Sequence, residues 1–215
     1  MGDNVLTLYH GSDKIIEKPQ YGAGNKFNDY GFAFYTTPIK ELAAEWAVPT
    51  KRSDGYINAY TLNTDGLTIF DMDSVPFEFW ISILIQNRGG KYSDVVKERQ
   101  KKWIDKFPFS VDGFDIVKGW RADDSYFSFV RDFFDIGLSL ENLSKAMKFG
   151  GLGVQYCLMT RKAISALEFV SPAHPVSAKV YYPKRQSRDD SVRAEYKDMQ
   201  NKARGTILFD IIGRD

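Results

Sequence analysis

The stretch Val5-Leu6-Thr7-Leu8-Tyr9-His10-Gly11-Ser12 decides how the fold is interpreted. Residues 5–9 alternate in the manner of a strand, and His10-Gly11-Ser12 predicts a tight turn at its end. A strand that delivers a histidine and then a glycine lets backbone approach a ligand closely while the imidazole faces a cleft. Taken alone, the pattern is also typical of a structural histidine at a strand end, whose hydrogen bonds are satisfied within the fold and which binds no ligand.

A second informative segment is Gly31-Phe32-Ala33-Phe34-Tyr35-Thr36-Thr37. Residues 32–36 predict a strand, and Thr37-Pro38 predicts the start of a helix, because a hydroxyl at the cap and a proline in the first turn are favoured there. Tyr35 and Trp46 are eleven residues apart, so their two side chains can face each other with the flat ring of a ligand between them. Trp46 is equally typical of the core stripe of that helix, which comprises Ile39, Leu42, Ala43 and Trp46.

The rest of the chain predicts an α+β fold with a helical insertion between two halves of a sheet. Residues 17–30 predict a long loop, and such loops are often functional. Strands are predicted at residues 56–62 and 67–70, which should pair with each other, and at 114–118, 154–159 and 168–170. Helices are predicted at residues 76–87, 93–106, 125–136, 140–148, 161–167 and 185–204. We treat residues 1–215 as one domain, with the insertion at about 75–148, a charged helix and tail at about 185–215, and an apolar patch at 207–212 that is a last strand or a docking segment.

Composition excludes several classes of protein. The 215 residues carry 29 Lys and Arg against 28 Asp and Glu, a net charge of +1 that argues against a globally basic nucleic-acid coat. One cysteine and two histidines exclude a disulfide framework and a multi-histidine metal centre. Cys157 is expected to be a buried thiol that alternates into a strand beside Gln155. No apolar run reaches the ~18 residues that cross a bilayer, so we expect a cytoplasmic protein with no membrane contact.

Together, the two segments resemble the ADP-ribosyltransferase superfamily in its diphtheria-toxin-like and poly-ADP-ribose-polymerase-like branch. That branch has a Tyr-His-Gly-(Ser or Thr) strand, followed by an aromatic strand that ends in a tyrosine and hydroxyl residues, and then by an Ala-rich helix. The resemblance covers residues 10–47 well and continues more weakly at 154–170. Within the superfamily, the chain most resembles an uncharacterised bacterial branch that is often associated with toxin–antitoxin-like gene pairs and has Gln at the Glu position. The resemblance implies the split-sheet core of that superfamily.

The resemblance also implies a set of contacts with NAD as co-substrate, without a metal. His10 would hydrogen-bond a ribose hydroxyl, and the Gly11 backbone would hold the nicotinamide amide. Tyr35 and Trp46 would stack on the two faces of the nicotinamide, and the loop at 17–30 would close over the donor. The resemblance further implies an NAD contact from Ser12 and a hydroxyl contact from either Thr36 or Thr37.

The third residue of the family signature departs from its usual type. Gln155 stands where the family has a glutamate, in the tetrad Gln155-Tyr156-Cys157-Leu158. The carboxylate would orient a ribose hydroxyl and offset the positive charge of an oxocarbenium-like transition state. A glutamine keeps the hydrogen bond but supplies no charge, and losing a charge-assisted hydrogen bond costs about 1.5–3 kcal/mol.

A second carboxylate elsewhere could compensate for the missing charge. Arg121, Asp123 and Asp124 follow the strand predicted at 114–118, so they are candidates for contacts with a diphosphate or an acceptor. Asp124 is also a candidate for the N-cap of the next helix.

The resemblance predicts an NAD-dependent mono-ADP-ribosyltransferase, with His10, Tyr35 and Gln155 as catalytic residues. The acceptor is a protein, a nucleic acid or water, and water would make the protein an NAD glycohydrolase. A toxin role and a cognate antitoxin follow only from the gene-pair association of the resembled branch. Two alternatives stay open: a non-catalytic module that binds NAD or ADP-ribose, and an unrelated α+β fold in which the two motifs are coincidental.

Overall fold

The computed structural model describes residues 4–88, 90–122, 124–135, 137–151, 153–200 and 205–213. The chain divides into two compact units. The first unit, which we call the sheet unit, consists of Met1–Asp73, Val111–Arg121 and Gly153–Ser187. The second, the helical unit, consists of Ser74–Ser110, Ala122–Leu152 and Arg188–Asp215.

The chain contains strands and helices mixed along its length. The strands are β1 (Val5–Ser12), β2 (Phe34–Thr36), β3 (Gly55–Asn63), β4 (Ile69–Asp71), β5 (Ile116–Trp120), β6 (Val154–Leu158) and β7 (Leu167–Val176). The helices are α1 (Lys40–Ala47), α2 (Phe77–Asn87), α3 (Asp94–Lys106), α4 (Asp124–Asp135), α5 (Leu140–Ala146), α6 (Arg161–Ser165), α7 (Ala178–Gln200) and α8 (Leu208–Ile212). The predicted α+β class is therefore confirmed.

One sheet of the sheet unit has the order β1-β3-β7, with antiparallel pairing throughout. The turn predicted at His10-Gly11-Ser12 is wrong, because β1 continues to Ser12. His10 pairs with Asn58 and Ser12 pairs with Tyr56, so the partner strand β3 keeps this segment extended.

The other sheet has the order β2-β6-β5-β4, in which only β4 and β5 run parallel. The predicted pairing of residues 67–70 with 56–62 is wrong, because β4 joins β5 instead. The cause is Asp115, whose carboxylate accepts hydrogen bonds from the backbone N–H and the hydroxyl of Thr68 at 3.0 and 3.2 Å. These bonds hold the start of β4 beside β5.

Helix α1 lies directly against β1 and β3. Ala43, Ala44 and Ala47 are buried in a cluster with Ile57. The start predicted at Thr37-Pro38 is wrong: α1 begins at Lys40, with Ile39 at the N-cap and no side-chain cap. The Thr37 hydroxyl donates to the Val154 carbonyl at 2.9 Å, so it holds β6 as well as accepting from the N–H of Ile39.

The helical unit has an aromatic core. The indole of Trp103 meets the rings of Phe133 and Phe134 edge-on, at centroid distances of 5.3 and 5.8 Å. Tyr196, in the second half of α7, stacks on Phe129 at 3.8 Å. Four phenylalanines of α4 are buried in this core: Phe127, Phe129, Phe133 and Phe134.

Two boundaries of the helical region differ from expectation. The insertion expected at about 75–148 includes β5, which belongs to the sheet unit. The apolar patch at 207–212 forms α8 rather than a strand. Among the described residues, no helix is long and apolar enough to cross a membrane.

Candidate functional site at the split between the two sheets

The two sheets of the sheet unit are joined by one antiparallel rung. The Tyr9 N–H donates to the Thr37 carbonyl at 2.8 Å, and the Thr37 N–H donates to the Tyr9 carbonyl at 2.9 Å. In a regular antiparallel ladder the next rung of this type would join Gly11 to Tyr35. Instead, His10 Nδ1 lies 2.7 Å from the Tyr35 carbonyl. The imidazole takes the acceptor that the next rung would use, and the ladder stops there.

The Gly11 backbone faces this split. Because Tyr9 directs its N–H and C=O toward Thr37, and because these directions alternate along a strand, Gly11 directs its own pair away from β3. Within the described part of the chain, no hydrogen bond joins these two groups to β2. The split therefore presents one backbone donor and one backbone acceptor side by side.

Gly11 also has a packing role that sequence reasoning missed. A Cβ built on it would lie 1.8 Å from the carbonyl oxygen of Ala43 and 2.6 Å from the backbone nitrogen of Ala47. Only glycine lets α1 approach β1 this closely, so this residue sets the position of the helix that carries Trp46.

The protonation of His10 follows from its partner. A carbonyl accepts, so Nδ1 must carry the proton, and the neutral ring then has an acceptor lone pair at Nε2. Burial lowers the pKa of His10 below its ordinary value of 6.5, while the bond to the Tyr35 carbonyl opposes this shift. The ring also lies against Phe34, at a centroid distance of 4.5 Å. His10 therefore offers a hydrogen-bond acceptor at neutral pH.

The Tyr35 hydroxyl anchors the end of the predicted loop. It accepts the backbone N–H of Tyr30 at 3.0 Å and donates to the Gly31 carbonyl at 2.8 Å. The loop residue Tyr30 is buried, and its own hydroxyl donates to the Trp120 carbonyl at 3.1 Å. This fit requires Gly119, because a Cβ there would lie 2.1 Å from the Tyr30 hydroxyl oxygen.

Gln155 lies on the same face of its sheet as Tyr35. Tyr35 is opposite Cys157 across the β2–β6 pair, and Gln155 and Cys157 point to the same side of β6. Gln155 and Cys157 are both buried, and the prediction that Cys157 is a buried free thiol is confirmed. The first and third residues of the sequence triad, His10 and Gln155, thus flank Tyr35, one through a hydrogen bond and the other along the shared face.

The Gln155 amide is bound by two acceptors. Nε2 donates to Asp29 Oδ2 at 2.9 Å and to the Trp120 carbonyl at 3.1 Å. Asp29 is buried, and sequence reasoning did not single it out as a site residue. The available signal was its place directly before Tyr30-Gly31, at the end of the loop expected to close over the donor.

The other predicted contacts have separate positions. Thr36 is fully buried and its hydroxyl donates to the Tyr156 carbonyl at 2.9 Å, so this side chain holds β2 to β6. The Ser12 hydroxyl is half-buried and donates to Asp13 at 3.2 Å. Asp123 lies outside the described residues. Asp124 is the first residue of α4, and its side chain, including the predicted N-cap, also lies outside them.

Trp46 and Arg121 form a pair. The Arg121 guanidinium lies 4.9 Å from the centroid of the Trp46 ring. Trp46 is half-buried, and its indole Nε1 is buried without a hydrogen-bond partner among the residues that the structure describes. The Arg121 cation therefore lies over the ring of Trp46, for which the resemblance implied nicotinamide stacking.

One family model matches residues 6–169, and its description is "Protein of unknown function (DUF3990)". The chain belongs to this family. No curated protein and no solved structure matches the chain. The part of the chain shared with the DUF3990 family contains His10, Tyr35, Asp29 and Gln155, and it ends within β7. The site at the sheet split therefore lies wholly inside the DUF3990 region.

In the described part of the DUF3990 region, the side chains that could hold a metal ion do not cluster. Among the described residues, no group of three or more His, Cys, Asp and Glu side chains is placed to hold an ion. The chemistry available at the split consists of a backbone donor and acceptor, a neutral imidazole, an aromatic ring and the paired side chains of Asp29 and Gln155.

Proposed function

We propose that this DUF3990 protein is an NAD-dependent mono-ADP-ribosyltransferase. It would cleave the bond between nicotinamide and ribose and transfer ADP-ribose to a protein or nucleic-acid acceptor in the cytoplasm. The observation that carries the proposal is the interrupted ladder, in which His10 takes the Tyr35 carbonyl and leaves the Gly11 backbone facing the split. Gln155, on the face of the sheet that it shares with Tyr35, is the third residue that supports the proposal.

The Gly11 backbone suits the carboxamide of nicotinamide. A primary amide has a carbonyl acceptor and an NH₂ donor, which are complementary to one N–H and one C=O of a strand edge. The Tyr35 ring is fixed by its hydroxyl, so stacking would cost little further ordering. An aromatic contact of this kind contributes roughly 0.5–1.5 kcal/mol beyond burial.

His10 suits the sugar. Its Nε2 accepts a hydrogen bond while Nδ1 is held by the Tyr35 carbonyl, so the ring is both oriented and neutral near pH 7. A ribose hydroxyl is the donor that such an acceptor would bind. The imidazole thereby fixes the sugar relative to the nicotinamide on Gly11 and Tyr35.

The reaction requires stabilisation of positive charge on the sugar. The electron pair of the C–N bond leaves with the nicotinamide nitrogen, and the ribose carbon becomes oxocarbenium-like until the acceptor's nucleophile attacks and loses its proton. A negative group near the sugar lowers this barrier. Asp29 supplies a buried carboxylate one hydrogen bond behind Gln155.

A second candidate function rests on Gln155 itself. Because this residue has no charge, the same pocket could bind NAD or ADP-ribose without turnover. The two functions differ in the release of nicotinamide, which only the transferase or a glycohydrolase performs.

The test is nicotinamide release from NAD by the full chain, with NAD binding measured alongside by calorimetry. Wild type is expected to release nicotinamide, and His10→Ala or Tyr35→Ala to lower the rate by about tenfold or more, the effect of losing one or two good hydrogen bonds. The matched control is His174→Ala, since His174 is exposed on β7 and the chain has two histidines. Binding without release would favour the binding module. If the protein neither binds NAD nor releases nicotinamide, both functions are refuted.

A further inference from the structure

The Asp29–Gln155 pair fixes the orientation of a buried amide. Asp29 and Gln155 are each only 3% exposed, so their hydrogen bonds lie away from solvent. The terminal nitrogen of Gln155 faces a carboxylate oxygen and a carbonyl oxygen, both of which only accept. Turning the amide over would set its own oxygen against these two acceptors. The NH₂ group is therefore committed, and Oε1 is the group left to meet a ligand.

We infer that Asp29 is the positioning residue of the site: it locks the Gln155 amide so that Oε1 accepts a hydrogen bond from a sugar hydroxyl, and its charge strengthens that acceptor through the amide. This inference rests on the proposed transferase function and deepens it. A hydrogen bond donated to an ionised group is stronger than a neutral one, and bonds in a chain polarise one another. The glutamine thus presents an oxygen acceptor, as a glutamate would, and the negative charge is on Asp29, which is hydrogen-bonded to the NH₂ group of the same amide.

Independent contacts hold Asp29 in place. The following residue, Tyr30, is bound through its N–H to the Tyr35 hydroxyl and through its own hydroxyl to the Trp120 carbonyl. The Gly31 N–H donates to the Asn28 carbonyl at 3.0 Å, which closes a turn around Asp29. The charge of Asp29 also contributes to raising the pKa of Cys157, after the larger effect of burial, so Asp29 acts on β6. The loop end and the strand are therefore one ordered unit.

This geometry predicts that a glutamate at position 155 is unfavourable beside Asp29. Gln155→Glu would set a second carboxylate against Asp29 and the Trp120 carbonyl in place of the NH₂ group that donates to both. Like charges at this distance raise the pKa of one of the two carboxyl groups. The variant would then be tolerated at low pH, where the pair shares a proton, and would lose stability as the pH rises through the raised pKa. Exchanging both residues moves the donor to position 29 and removes the repulsion.

The experiment compares wild type, Asp29→Asn, Gln155→Glu and the double variant Asp29→Asn/Gln155→Glu. Nicotinamide release is measured from pH 5.5 to 8.5, together with the thermal unfolding midpoint of each protein. Each single variant is expected to lower kcat by about tenfold or more while KM for NAD changes by less than about threefold. Gln155→Glu is expected to lose further activity and stability as the pH rises. The double variant is expected to recover at least about a third of wild-type activity with the wild-type pH profile.

The control separates positioning from general destabilisation. Asp115→Asn removes another buried, hydrogen-bonded carboxylate of the sheet unit, so it should lower the midpoint without changing the pH profile of release. Wild-type release with no recovery in the double variant overturns the inference and leaves the proposed function standing. If wild type releases nothing, but the double variant has a higher midpoint than Gln155→Glu at pH 8.5, the proposed function fails and the Asp29–Gln155 pairing stands. Equal midpoints of those two variants at pH 8.5 overturn the pairing.

Discussion

Replacing Gly11 by alanine tests whether this residue is required by packing, by a ligand, or by both. The added methyl would lie 1.8 Å from the Ala43 carbonyl oxygen and 2.6 Å from the Ala47 nitrogen. Both atoms belong to the backbone of α1, so no side-chain rotation relieves the contact. To reach an ordinary separation from the Ala43 oxygen, β1 and α1 must move apart by about 1.7 Å or more, since carbon atoms in contact lie about 3.5–4.0 Å from their neighbours.

The cost of this movement follows from what α1 buries. Overpacking a tight site costs about 1–3 kcal/mol, and separating the helix also loosens the contacts of Ala43, Ala44 and Ala47, all fully buried. We therefore expect Gly11→Ala to lower the free energy of unfolding by about 3 kcal/mol, at the upper end of that range. The matched control is Gly24→Ala, because Gly24 is exposed and its added methyl would meet only the Ala33 carbonyl, at 3.3 Å.

The assay is urea denaturation followed by circular dichroism, with hydrogen exchange of residues 40–47 measured by mass spectrometry. Gly11→Ala should unfold at lower urea and exchange faster in α1, whereas Gly24→Ala should do neither. A loss below about 1 kcal/mol, a typical value for an unremarkable substitution, with unchanged exchange in α1, would refute the packing argument. In that case, any change in NAD binding or turnover in Gly11→Ala would reflect a direct contact with the ligand rather than a change in packing.

Two further predictions concern pH and a buried carboxylate. Burial lowers the folded-state pKa of His10 below 6.5, so the unfolded chain binds more protons at this residue, and the contribution of His10 to the free energy of unfolding should fall as the pH drops below about 6.5 and be constant above it. His10→Asn should lack this contribution when the free energy of unfolding is measured by urea titration at pH 5 and 7.5. An equal change in that free energy between the two pH values in both proteins would contradict the assignment. The Thr160 hydroxyl and the Thr68 backbone hold the pKa of Asp115 down at about 2, so the stability it contributes is present above its ordinary pKa of 3.8 and is lost as pH falls toward 2. Thr160→Val should raise that pKa in a carboxyl NMR titration and cost about 1–3 kcal/mol, and an unshifted titration would count against the role of Thr160.

The sequence predicted the order of the elements because their periodicity is local. The apolar spacing of α2 to α5 and the alternation of β1, β3 and β6 are properties of neighbouring residues, so they can be recognised without tertiary information. The errors lie where a distant partner decides. Pairing with Asn58 and Tyr56 keeps His10 and Ser12 extended, and Asp115 draws Thr68 to the other sheet.

The candidate site shows the same division between local and distant information. His10, Gly11 and Tyr35 were found through the resemblance, and their proximity is visible in the bond from His10 to the Tyr35 carbonyl. The packing role of Gly11 was not visible, because it depends on the backbone of a helix more than thirty residues away. Nor was the role of the Tyr35 hydroxyl, which binds a loop that has no periodicity.

The sequence motif and the structure lead to different conclusions about which residue supplies negative charge beside Gln155. A motif compared position by position assigns the charge to residue 155 and finds it missing. Electrostatic stabilisation depends on distance and dielectric rather than on chain position, so a carboxylate delivered by a loop can act on the same sugar as one delivered by a strand. In this chain Asp29 lies 2.9 Å from the Gln155 amide in a buried setting, where a charge is weakly screened. Under the proposed function, Gln155 supplies the hydrogen-bond acceptor and Asp29 supplies the charge that a glutamate would combine in one residue.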